Sequence, residues 1–335
     1  MAFAPENAGG RVMDNFQMIV LLLDATMRTS TPLILAALAG MFSERAGTIN
    51  LALEGMMLGG AFSAACVAYY TDSHWLGLGA AVLTTMALSL LHGFACITHK
   101  GNQVVSGMAI NILMSGLTAL VGIALFAQGG KTPALDHSAR FQPVTLPGAD
   151  AVANVPILGS LYSELLSGHN ILVYVAFLAV PASWWVLYRT RFGLRLRAVG
   201  ENPGAVDTAG ISVVGMRYKS VLCSGFLVGI SGAYLSTAQG ASFLSDMTAG
   251  KGYIALAAMV FGKWRPFPAM FACILFGFLD AAATRLQGVI LPGIGEVPVQ
   301  LVQALPYILT VILLAGFIGR AVAPKSLGRA YVKER

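Results

Sequence analysis

The residues of this chain that could do chemistry are scattered, and their spacing excludes most of it. Cys66, Cys96, Cys223 and Cys273 lie far apart, each inside an apolar run and none at metal or redox spacing. They read as small packing residues. His74, His92, His99, His137 and His169 include no i, i+4 metal pair and read as structural or interfacial. Gly130-Lys131-Thr132 ends like a phosphate-binding loop, but Leu125 stands where that loop needs its first glycine. Gly77-Leu78-Gly79 lacks a strand–turn–helix context, and there is no Gly-x-Ser-x-Gly elbow. The chain is therefore not expected to be an enzyme, nor to hold a cofactor, a nucleotide or a metal ion. Any energy it uses comes from another chain.

What remains is polar residues embedded in apolar sequence. Gly47–Gly55 contains Asn50 and Glu54. Asn102–Gly107 contains Ser106 and Gly107 and runs into Asn111. Gly250-Lys251-Gly252-Tyr253 opens an apolar run of only a dozen residues before Lys263. A dozen helical residues rise about 18 Å, short of a hydrocarbon core of about 30 Å, so a re-entrant or half-helix is expected there. Irregular backbone at membrane depth survives only when it is buried in protein or lines a watery cavity, and such interruptions point to a solute path. We expect Asn50, Glu54, Ser106, Gly107, Asn111, Gln239, Gly250 and Gly252 to line it. Ser115 adds to its uncharged polar content. An ion carrier needs ionisable groups near mid-membrane, and this chain has few. A neutral, hydrogen-bonding solute suits the path better.

Two further readings concern charges and glycines. Glu54 is expected near the cytoplasmic start of its span, as a cap or a partner of Arg45. Asp280 and Arg285, five residues apart, are expected to pair loosely near an outer end. Small residues can instead serve close helix packing, and that is the reading for Gly55 with Gly59 and Gly225 with Gly229.

Composition dictates the elements that must position these groups. Of 335 residues, 56% are hydrophobic and 11% charged, with a mean hydropathy of +0.73; soluble domains carry about 25% charged residues. The fold class is an all-α integral membrane protein, a polytopic helical bundle of about nine spans with broken or re-entrant helices. The segments are 30–47, 50–70, 75–98, 103–127, 170–189, 216–238, 251–263, 266–285 and 299–319. Residues 16–28 form an interfacial helix, or the start of one long tilted first span. The N-terminus lacks a basic start leading into an apolar run and cleavage site, so no removable signal peptide is expected. The divisions are residues 1–29 (tail and interfacial helix), 30–320 (one transmembrane domain) and 321–335 (a basic cytoplasmic tail).

The net charge of +6 and pI of 9.2 follow the positive-inside rule and not nucleic-acid binding, because Lys and Arg flank apolar segments. Placing 189–219 and 320–335 in the cytoplasm puts Lys263, Arg265, Lys100 and Arg45 there too. Nine spans then leave the N-terminus outside. The one long extracytoplasmic connection, about 128–169, is expected to be a lid or a docking surface.

The island Arg189–Lys219 holds six of the 21 Lys and Arg residues. Within its loop, 190–215, a short helix is expected: Asn202 caps it, Pro203 takes the first position and Gly210 ends it. About two turns of helix do not stand alone in water, so this one needs a surface to dock on. The arginines at 189–197 are assigned to topology.

Four runs, GMFSERAGTINLALEGMMLGGAF (40–62), NQVVSGMAINIL (102–113), RAVGENPGAVDTAGI (197–211) and GKGYIALAAMVFGKWRP (250–266), resemble the membrane permeases of ATP-binding-cassette importers. The resemblance is to the ribose/branched-chain amino acid superfamily, in its nucleoside or simple-sugar branch. It implies a type II importer fold, paired with a second permease about a central pathway. It also implies that Gly200, Glu201, Asn202, Pro203, Asp207, Gly210 and Ile211 belong to a coupling loop seated on an ATPase. This chain resembles the smaller of two permeases. The implied partners are the larger permease, a cytoplasmic ATPase with two fused nucleotide-binding domains that carries the ATP and magnesium, and a basic-membrane-protein-type binding lipoprotein. Membrane lipid and a small neutral solute complete the set. Ribose permeases carry an additional N-terminal span, where this chain departs from them.

The expected function is that of a permease subunit in the bacterial plasma membrane, importing a neutral solute, foremost a nucleoside, by ATP-driven alternating access. Permeases for simple sugars, riboflavin or branched-chain amino acids are the near alternatives. A secondary transporter or channel acting alone is the alternative of another class.

Overall fold

The computed structural model describes residues 8–147, 161–286, 290–291, 295–296, 304, 308 and 322–333. Its helices are α1 (Ala8–Arg45), α2 (Leu53–Thr71), α3 (His74–Gly93), α4 (Gln103–Phe126), α5 (Ile171–Arg189), α6 (Arg191–Glu201), α7 (Pro203–Thr208), α8 (Val213–Tyr234), α9 (Lys251–Phe261) and α10 (Pro266–Leu286). Single π-turns extend α3 over Phe94–Thr98 and α8 over Leu235–Gln239, and a third spans Leu161–Leu166. Ile290–Leu291 and Gly295–Glu296 form a two-residue antiparallel pair.

Among the described residues six helices are long and apolar enough to cross a membrane: 16–45, 74–98, 103–126, 171–189, 213–239 and 266–285. The 16–28 run and the 30–47 segment prove to be one continuous helix. Pro32 lies inside it and cannot donate to the Arg28 carbonyl four residues back. The buried Tyr234 hydroxyl donates to that carbonyl instead, at 2.9 Å, so the proline is absorbed without a loose end. The expected span at 299–319 lies outside the described residues.

Helix α2 sits at the centre, against α3, α4, α8 and α9. Its glycines and alanines let its neighbours come close. A Cβ on Gly232 of α8 would stand 2.5 Å from the Met57 carbonyl of α2; on Gly225 and Gly229 it would meet Ser89 Oγ and Thr85 Oγ1 of α3, each at 2.5 Å. The small-residue steps in α2 and α8 are therefore packing seams. Helix α1 packs along α8 and α10, where Thr29 Oγ1 donates to the Gly277 carbonyl at 2.8 Å.

The basic islands gather at one end, as charge alternation demands. Arg45 donates to the Trp264 carbonyl at 2.8 and 3.0 Å, Gly328 N–H to Gly47 O at 3.1 Å, and Lys100 shares a groove with Asp207 and Lys333. At the opposite end, residues 132–141 lie along 237–243. Leu135 N–H donates to Ala241 O at 2.7 Å and Phe141 N–H to Thr237 O at 2.9 Å. The part of the long connection that is described is thus pinned to the bundle through its backbone.

Candidate functional site

Two groups of expected residues come together, one inside the bundle and one at its basic end. The inner group begins where α1 stops. Gly47 takes φ +89°, residues 46–52 are irregular, and α2 opens at Leu53. This is a genuine break, and its backbone groups are met by side chains. Gln103 Oε1 accepts Ile49 N–H at 2.7 Å, while His92 bridges Ile49 O (2.9 Å) and Ser106 Oγ (3.0 Å). Asn50 is fully buried; its amide donates to Ser224 Oγ at 3.1 Å and accepts Ala52 N–H at 3.2 Å.

Asn111 ties three elements. Its Oδ1 accepts Gly55 N–H at 2.8 Å, and its Nδ2 donates to Leu51 O at 2.9 Å and Tyr253 Oη at 2.8 Å. Gly107 permits this approach, because a Cβ there would stand 2.9 Å from Leu51 Cβ. Asn50, Ser106 and Asn111 thus spend their hydrogen-bonding capacity on the protein. The surface left open beside them comes from Tyr253 and Met108, with Ser115 Oγ donating to Asp246 at 2.9 Å.

Glu54 differs from its expected position. It neither caps its own helix nor reaches Arg45, whose guanidinium is spent on the Trp264 and Lys263 carbonyls. Its two carboxylate oxygens instead accept Gly250 N–H at 2.8 Å and Gly252 N–H at 2.6 Å. These belong to the unpaired first turn of α9, where a helix attracts negative charge. Gly250, at φ +81°, starts that turn, and Gly252 leaves room for the carboxylate. Helix α9 has 11 residues, a rise of about 16 Å, and ends near Arg45. Glu54 therefore lies well inside the bundle. The half-helix stands as expected.

Three other expectations are corrected. Asn102–Gly107 is no interruption: Asn102 Oδ1 accepts Val104 and Val105 N–H at 2.9 and 3.1 Å, and α4 runs unbroken behind this cap. Gln239 ends the π-turn after α8, exposed and beside residues 132–141, apart from the inner group. Asp280 and Arg285 do not pair, since five residues separate side chains by about 140° around a helix; Arg285 instead reaches the Met18 carbonyl at 3.4 Å.

The second group is the loop around α7 at the basic end. Asn202 Oδ1 accepts Ala205 N–H at 3.2 Å, Pro203 stands at the first position of α7, and Gly210 at φ +76° follows the helix end. Glu201, Asn202 and Gly210 are exposed, Asp207 half-buried. Gly200 is buried and has no room for a side chain, because a Cβ would collide with the Arg45 carbonyl. Ile211 N–H donates to Val206 O at 3.2 Å, closing the loop. Ahead of α7 comes α6, unforeseen from sequence although Thr190 Oγ1 caps it by accepting Gly193 N–H at 3.1 Å. Arg197 on α6 donates to Leu187 O at 3.0 Å and lies 4.6 Å over the Tyr188 ring. That arginine anchors the loop as well as serving topology. A groove of about 730 Å³ beside α7 is lined by Glu201, Pro203, Asp207, Arg217, Ser326 and Arg329.

Sequence reasoning missed the brackets around these sites: His92 and Gln103 on the break, Tyr253 beside Asn111, and Trp264, whose Nε1 donates to the buried Glu44 carboxylate at 2.7 Å. It also left the basic tail as a tail. Residues 322–333 fold back on the bundle. No metal-binding cluster of His, Cys, Asp or Glu occurs among the described residues.

The family model described as "Branched-chain amino acid transport system / permease component" matches residues 22–314. The chain is 38% identical over 330 residues to the guanosine ABC transporter permease protein NupQ of Bacillus subtilis, covering 96% of this chain and 99% of that one. It is 39% identical over 313 residues to the nucleoside ABC transporter permease protein NupC of Lactococcus lactis, covering 91% and 95%. Against the putative glucose ABC transporter permease protein TsgC13 of Haloferax volcanii the identity is 35% over 333 residues, covering 93% and 98%. Weaker matches join it to a second permease in the same two bacteria, NupP at 29% and NupB at 24% identity.

Proposed function

This chain belongs to the branched-chain amino acid transport system permease family, and on that premise we propose that its solute is a nucleoside. It is a permease of the ATP-binding-cassette importer class, a multi-pass plasma-membrane protein and not an enzyme. The observation carrying the nucleoside reading is the similarity, over nearly the whole chain, to relatives named for guanosine and nucleoside transport. The surface left open beside the inner group, from Tyr253 and Met108, is uncharged and suits a neutral solute.

The occurrence of two permeases in both bacteria supports a second permease as partner, the larger of the pair. A cytoplasmic ATPase with fused nucleotide-binding domains binds ATP and magnesium, and a binding lipoprotein delivers the solute. In this reading the loop around α7 sits on the ATPase. Its support is a capped helix of six residues, too short to be stable alone, exposed at the basic end. Motion there moves the 46–52 break and α9 against the partner permease, alternating access around them.

The test is uptake by the complete transporter in proteoliposomes. Guanosine accumulation that depends on ATP and is competed by other nucleosides, but not by glucose, is the expected result. Competition by glucose alone assigns the sugar reading favoured by the 35% match. Uptake by this chain without an ATPase overturns the importer mechanism.

A further inference from the structure

We infer that the C-terminal segment Pro324–Lys333 is a working part of the coupling machinery, with Ser326 as the residue that positions the coupling loop on the break between α1 and α2. The inference rests on the reading of the α7 loop as the ATPase contact and names the residues that hand its motion on.

Helix α6 ends at Glu201, and the last carbonyls of a helix have no partner within it. Those of Val199 and Gly200 are turned inward and buried. Ser326 satisfies them from outside. Its backbone N–H donates to Gly200 O at 2.9 Å, and its hydroxyl lies 2.8 Å from Gly200 O and 3.1 Å from Val199 O. Ser326 is itself buried, so these bonds do not compete with water.

Two residues further on, Gly328 N–H donates to Gly47 O at 3.1 Å. Gly47 is where α1 gives way to the break. A Cβ on Gly47 would stand 2.6 Å from Ser326 Oγ, and one on Gly328 2.9 Å from Ile49 Cδ1. The tail and the break are in contact at the separation only glycines allow. The buried Arg217 of α8 then donates Nη1 to Arg329 O at 2.9 Å, and Lys333 Nζ approaches Asp207 Oδ2 on α7 at 3.6 Å.

One strand of chain thus bonds to α6, α7, α8 and the break. Beyond Gly47, side chains meet the break and the start of α2 in turn: Ile49 bonds to Gln103 and His92, Leu51 to Asn111, and Glu54 to α9. The loop on the ATPase side and the irregular segment inside the bundle are therefore fastened by the tail. A displacement of α6 and α7 carries Gly47 with it.

The experiment uses the whole transporter, reconstituted with both permeases, the ATPase and the binding protein, and reads solute moved per ATP hydrolysed. Ser326→Ala removes the hydroxyl and keeps the backbone bond. The expected result is assembly at wild-type yield with a slightly lowered thermal midpoint, basal ATPase within about twofold, and solute moved per ATP reduced about fivefold, the size of one lost buried hydrogen bond. Deleting residues 329–335, of which 329–333 are largely exposed, should lower the ratio while sparing assembly. An unchanged ratio in both variants overturns the inference, and so does a Ser326→Ala complex that fails to assemble, which makes the tail merely structural. Gly210→Pro separates the premise from the inference, because its φ of +76° is closed to proline. If Gly210→Pro uncouples and Ser326→Ala does not, only the role of the tail falls. If Gly210→Pro leaves the ratio intact, the coupling reading itself falls, and the inference with it.

Discussion

The carboxylate of Glu54 accepts the backbone N–H of Gly252 at 2.6 Å, across 198 residues of sequence. With Gly250 N–H on the other oxygen, an acidic side chain of α2 caps the half-helix α9 inside the bundle. Bonds of this kind, to a charged acceptor at a helix start, are worth about 1.5–3 kcal/mol each.

Glu54→Gln keeps one good acceptor and turns an amide N–H₂ toward a second donor. It should lower the thermal midpoint of the detergent-solubilised transporter and cut uptake at least tenfold, and Glu54→Ala should do more. Tryptophan fluorescence on heating and proteoliposome uptake read the two effects. Wild-type behaviour of Glu54→Gln would remove the cap from the account.

The two glycines of that cap should respond differently to alanine. At Gly252 an added Cβ meets Glu54 N at 2.6 Å and Cα at 2.7 Å, and overpacking of this sort costs about 1–3 kcal/mol. At Gly250 the difficulty is the left-handed backbone, about 1–2 kcal/mol. Gly252→Ala is therefore expected to lose more stability and to displace α9, so uptake should fall further than in Gly250→Ala. The reverse order in parallel thermal and uptake assays would contradict the geometry.

Asn111→Leu should impair stability and transport together. It leaves Gly55 N–H and Leu51 O unpaired in a buried place, about 1–3 kcal/mol for each. Tyr253→Phe removes only one acceptor of the Asn111 amide and should cost less than about 1.5 kcal/mol. Asn111→Leu at full stability with reduced uptake would return that residue to direct contact with the solute.

At the α7 loop, Asn202→Ala removes the side-chain acceptor of Ala205 N–H, about 1 kcal/mol. Gly210→Ala strains the turn that follows α7. Both residues are exposed, so the assembled complex should persist while solute-stimulated ATPase and uptake decline, and co-purification of the ATPase separates the two outcomes. Full uptake in both variants would count against α7 as the contact.

Local features were legible in the chain alone. Asn202, Pro203 and Gly210 announce α7 because capping, the first helical position and the left-handed exit are each decided within a few residues of backbone. The shortness of α9 follows from counting apolar residues. The Asn102–Gly107 stretch shows the limit of such reading. A polar run before a helix is either a break or a cap, and only the direction of the Asn102 side chain decides between them.

The sequence by itself determined that this is a polytopic helical membrane protein, which end of the bundle is basic, and where the short helix α7 lies. Hydropathy, charge and capping act over one turn or one span, so they can be read along the chain. The tertiary structure alone decided what Glu54 holds, that Asn50, Ser106 and Asn111 are spent on the protein, and that the tail binds Gly200 and Gly47. Apart from Ser106 to His92 and Asn50 to Ala52, those bonds join residues 56 to 198 positions apart, and the tail to Gly47 lies farther still. Buried donors and acceptors must be paired wherever packing sets them, and packing is a property of the folded bundle and not of any stretch within it.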